Sequence, residues 1–149
     1  MLSLTDLKNI LGRKVKDLSN VEKQIMESDA GYDGVIALIQ TKNVETAVIL
    51  EHNDVGEFSI RPGGLEKASQ SIWVMKMVGD KKDRGTAQRE CKQLMKKIIS
   101  LFVKHEKDDC LKGWEWGSIP YGIRNAGANY TGYEFTLRFT EDIDLSYHE

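Results

Sequence analysis

Between residues 133 and 140 the side chains alternate strictly, with Tyr133, Phe135, Leu137 and Phe139 on one parity and Glu134, Thr136, Arg138 and Thr140 on the other. Only an extended backbone puts residues two apart on one side, so this segment is a strand with one apolar and one wet face. An apolar face needs a second layer to cover it. The parity resumes beyond Glu141 with Ile143, Leu145 and Tyr147, so the tail either prolongs the strand or lies along another surface. A covering layer is written upstream, where residues 86–105 carry Ala87, Cys91, Leu94, Met95, Ile98 and Phe102 on one helical stripe. Arg89, Lys92, Lys96, Lys97 and Lys104 gather on the opposite face of that helix.

The rest of the chain supplies more of both layers. Residues 71–78 (SIWVMKMV) are apolar on both parities apart from Lys76, the pattern of a central strand covered by helix on at least one side. Leu4, Leu7, Ile10, Leu11 and Val15 recur at helical spacing behind the caps Ser3 and Thr5, which predicts an amphipathic helix over residues 4–18. Residues 19–34 read as a short second helix and then a loop, with turns at Ser28-Asp29-Ala30-Gly31 and Asp33-Gly34. Residues 35–39 and 47–50 are short apolar runs that suit buried strands, although periodicity leaves a helix open for the first. Asn53, Asp54 and Gly56 mark a turn before Phe58-Ser59-Ile60, and Pro62-Gly63-Gly64 ends that element, so the second run and this segment are expected to form a hairpin. The fold class that follows is α+β: one domain with an antiparallel or mixed sheet, a long amphipathic helix packed on one face and an N-terminal helix.

Composition narrows the function. With a formal charge of −2 over 149 residues there is no basic excess of the kind that phosphate neutralisation uses, so nucleic-acid binding is not expected. The basic helix face carries no interleaved aromatic residue and reads as a solvated surface. No apolar run approaches the roughly 20 residues of a membrane-spanning helix, the N-terminus lacks the apolar core of a signal peptide, and two cysteines are too few for a disulfide framework. A soluble, cytoplasmic protein with no membrane partner is the expectation. No CxxC, HxxxH or HExxH occurs, so neither a metal site nor a cofactor is expected, and His105 reads as a favourable cation at a helix C-terminus. There is no GxSxG elbow, and Glu51-His52-Asn53-Asp54 falls at a turn, where Asn and Asp serve geometry. No catalytic residue is assigned.

What remains is a surface for partners. Gly122, Gly127 and Gly132 lie in a segment read as a flexible hairpin loop whose Arg124, Asn125, Asn129 and Tyr130 are of the polar and aromatic kind found at contact sites. Trp114 and Trp116, two apart between Gly113 and Gly117, form either an exposed aromatic pair or part of the core. The candidate interface therefore comprises Trp114, Trp116, Tyr121, Arg124 and Tyr130, with Ile143 and Leu145 of the tail.

The order of elements also resembles a known family. A helix, a hairpin, a strand with a tryptophan (Ser71-Ile72-Trp73-Val74-Met75), a long amphipathic helix and a final strand from Gly132-Tyr133 to Glu141-Asp142 are similar to the small tail-terminator and tail-completion proteins of tailed phages and prophages. The resemblance covers residues 44–145; the first forty residues lack the Gly-Gln segment that precedes the first strand in that family. It implies a non-enzymatic subunit that forms a homo-oligomeric ring, a hexamer being the expected size, at the end of a tail tube. Its partners would be copies of itself and other tail or neck proteins of a virion. The alternative from the residues alone is a small protein-binding module that uses the 113–133 segment.

Overall fold

The computed structural model describes residues 2–12, 14–29, 31–52, 56–60 and 63–145. In chain order these form α1 (Leu4–Leu11), α2 (Val21–Gln24), β1 (Ile25–Ser28), α3 (Gly31–Lys42), β2 (Thr46–Glu51), β3 (Gly56–Ser59), β4 (Leu65–Met77), α4 (Arg84–Lys104), a 3-10 turn at Asp109–Leu111, β5 (Tyr121–Ala126) and β6 (Tyr130–Asp142).

The two longest strands make the frame. β4 and β6 pair antiparallel along their whole lengths, from Leu65 opposite Asp142 to Met77 opposite Tyr130. Outward from this pair the sheet runs β1-β2-β4-β6-β5, and β3 pairs with the far end of β4 on the edge that β2 also uses. β1 lies parallel to β2 and every other pairing is antiparallel, so the sheet is mixed.

Strand parity then sorts the side chains into two cores. Ile72 and Val74 of β4 join Tyr133, Phe135, Leu137 and Phe139 of β6 beneath α1 and α4, where Cys91, Leu94, Met95, Ile98 and Phe102 meet them. Trp73 and Met75 point the other way, into a smaller core with Val35 and Ile39 of α3, Ala47 and Ile49 of β2, and Tyr130. The two-sided apolar pattern of residues 71–78 is thereby explained, because this strand has a helix on both sides. At the far ends of β4 and β6 the α3 side of the sheet is polar, with Ser69, Thr136 and Arg138.

Several expectations are corrected. The N-terminal helix stops at Leu11, because Gly12 takes a positive φ of 46° and its N–H caps the Lys8 carbonyl; Val15 and Leu18 are buried on a turn beyond it. Residues 25–28 form a strand, which a four-residue segment with two apolar and two polar side chains does not announce. Residues 35–39 belong to a helix, with Val35 and Ile39 one turn apart against the sheet, and Gly31, Asp33 and Gly34 are its first turn and not a loop. Ala30, Asn53, Asp54 and Pro62, read as turn residues, lie outside the described residues. β2 and β3 do not pair with each other; both pair with β4, and the register shifts by two residues between them. The glycine segment is also more ordered in sequence than a loop: Gly122 sits in β5 and Gly132 in β6, and only Gly127, with φ 64°, belongs to the turn between them.

Candidate interaction surfaces

Each end of the sheet leaves apolar side chains uncovered. β3 is only four residues long; Phe58 in it is 61% exposed and Ile60, just beyond the strand, is 93% exposed. Phe58 stands opposite Glu66 on β4, which stands opposite Glu141 on β6, so these three share the α4 side of the sheet. Leu145, also exposed, lies over Gly64 in the turn that leads into β4, and the Ile143 N–H donates to the Gly64 carbonyl at 3.3 Å. Ile143 and Leu145 thus lie along their own subunit's turn.

At the opposite margin, β5 puts Tyr121 and Ile123 on the α4 side, opposite Phe135 and Tyr133, but beyond the cover of α4. Tyr121 is 55% exposed, its ring meets Tyr133 edge-on at 5.8 Å, and the Lys92 ammonium stands 5.3 Å from its centroid. Lys92, Lys96, Ile99 and Val103 follow one side of α4, and Val103 is exposed at its end. Trp116 is also 55% exposed and lies against Trp114 at 4.7 Å.

The residues singled out in the sequence therefore divide. Trp116, Tyr121 and Leu145 are exposed and Ile143 is half-buried, while Arg124 is half-buried in an ion pair with Glu134 at 3.4 Å. Trp114 and Tyr130 are not surface residues. Trp114 pairs with Phe139 across a β-bridge and packs edge-on against Phe102 at 6.1 Å, which settles the two-way reading of the tryptophans: one is core, its neighbour is open. Tyr130 points into the α3 core and its hydroxyl donates to the Val44 carbonyl at 2.8 Å. Phe58, Ile60 and Ile123 were missed in the sequence. The signal was present as period-two apolar residues in short segments with no matching helix stripe left to cover them.

A different cluster fills a cleft of about 430 Å³ between α4 and residues 15–17. Lys76, 7% exposed, is the single charge in its strand pattern, and its ammonium meets Asp17 at 3.3 Å and Glu90 at 3.4 Å. Glu90 also accepts from Lys82 at 2.5 Å, and Lys82 faces Glu45 at 3.9 Å. The Lys82 hydrogen bond holds the Glu90 carboxyl below the usual range, and Glu90 in turn pushes Lys82 up. The ion pairs at the centre fasten the 15–17 segment to α4 and β4.

Cys91, His105 and His52 also have partners. Burial pushes the Cys91 thiol up to about 12, and its Sγ donates to the Thr131 carbonyl at 3.6 Å. The His105 ring at the end of α4 lies between Asp108 and the Lys14 ammonium, each at 3.0 Å. His52 meets Glu27 at 2.8 Å across the β1 edge. Among the described residues no group of three or more His, Cys, Asp or Glu side chains is placed to hold a metal ion, and no helix is long and apolar enough to cross a membrane.

No protein-family model and no curated protein sequence matches the chain.

Proposed function

We propose that this protein is a non-enzymatic structural subunit that works by self-association, as a tail-terminator-like ring component joining tail to head in a phage or prophage particle. The observation that carries the reading is the pair of unlike apolar clusters at opposite margins of one sheet, Phe58 with Ile60 at β3 and Tyr121 with Ile123 at β5. A binding module with one partner needs one such margin. Two different ones allow a heterologous contact repeated from copy to copy, and a repeated rotation that closes makes a ring. Exposed apolar residues in clusters, unlike scattered ones, mark interfaces.

Light scattering across a concentration series, with electron microscopy of the heaviest species, tests the association. Closed rings are the expected result, and a chain that stays monomeric at every concentration overturns the reading. The phage assignment is tested separately by the neighbouring genes, which are expected to encode portal, capsid and tail-tube proteins; a setting among metabolic genes would count against it.

A further inference from the structure

We infer that the two margins bind each other, the acidic β3 margin of one copy against the basic β5 margin of the next. This rests on the self-association proposed above and adds to it the two surfaces and their polarity.

Both margins present apolar residues on the same side of the sheet as α4, and their unpaired charges are opposite. Phe58 shares a row with Glu66, and Glu66 makes no ion pair among the described residues. Lys112 shares the adjoining hollow with Glu141 and Asp142, and Lys67 stands on the other side of the strand, so Glu66 is the carboxylate left over beside Phe58. At the β5 margin Arg124 is matched by Glu134, but Lys92 and Lys96 have no carboxylate partner among the described residues, and Lys92 stands over the Tyr121 ring. An apolar cluster with a spare anion faces, one copy along, an apolar cluster with spare cations. The backbones fit the same contact, since neither β3 nor β5 has a strand on its outer edge among the described residues, and such edges pair readily with another chain.

Charge reversal tests this. Glu66→Lys and Lys92→Glu each set like charges against each other at every contact and should weaken association at least about tenfold. The double variant restores opposite charges throughout and should regain the wild-type mass, while raised salt should weaken the wild type. In a Cys110→Ser background, Ile60→Cys with Ile123→Cys should give an oxidised ladder beyond the dimer, and neither single cysteine should. Thermal melts near that of the wild type keep a loss of association from being a loss of folding. If the wild type never associates, the self-association reading itself falls. If it associates, but reversal has no effect, the double variant fails to recover, or no ladder forms, the margins named here are wrong while self-association stands.

Discussion

Gly132 is the third residue of β6, where a Cβ would stand 1.9 Å from the Val74 carbonyl oxygen of β4. Its φ is not positive, so the demand is for space alone. Gly132→Ala must push the central pair of strands apart and should cost about 2–3 kcal/mol in denaturant unfolding. Glu90 makes a pH-dependent contribution whose sign is fixed by its lowered carboxyl. A carboxyl that is more acidic folded than unfolded stabilises above the ordinary carboxylate range and loses that stability as pH falls through it. Glu90→Gln should therefore destabilise by about 1–2 kcal/mol at neutral pH, less than a fully buried pair because the side chain is partly open, and by little at acid pH. Melts of both proteins from neutral to acid pH check this. Cys91, with its thiol raised to about 12, should escape iodoacetamide in native protein at mildly alkaline pH and react once the chain is unfolded, as read by mass spectrometry.

Elements were legible where one physical pattern dominated. The stripe of α4, capped by the Asp83 side chain at the Thr86 N–H, and the alternation of β6 are each decided by a single apolar face, and both form close to where the spacing puts them. Residues 31–42 fail the same test because α3 buries only a narrow face, Val35 and Ile39, and its glycines imitate a turn. β1 was invisible: of its four residues two are apolar, and its strand form comes from pairing with β2. The interaction margins were half legible, since Trp116 and Tyr121 stood out as aromatics, but the burial of Trp114 and Tyr130 depends on partners that only the fold brings up to them, Phe102 and Phe139 for the first and the α3 core for the second. The α4 layer gives a direct check. Ile98→Asp places a charge under fully buried side chains and should abolish cooperative melting, whereas Ile123→Asp, at the exposed margin, should leave the melt within about 1 kcal/mol of wild type.

At the scale of the molecule, the unusual reach of the final strand has an internal explanation. The parity that continues past Glu141 left open whether the tail prolongs the strand or lies along another surface; β4 matches β6 residue for residue to Asp142, and Ile143 and Leu145 then meet Gly64 of the same chain, while Tyr147 lies outside the described residues. Removing residues 143–149 should thus leave a cooperative fold, with the melting temperature lowered by no more than about 4 °C. Association should weaken in the same truncation, because Leu145 belongs to the β3 margin, and light scattering alongside the melt separates the two effects. The β4–β6 ladder also bears on synthesis. Its partners are far apart along the chain, with Leu65 waiting for Asp142, so the centre of the sheet closes only after residues 130–142 have left the ribosome. Until then β4 has one bare edge in every nascent copy, and on a polysome such edges stand side by side. Slow translation or crowded messages should therefore raise the share of copies lost to association through that edge.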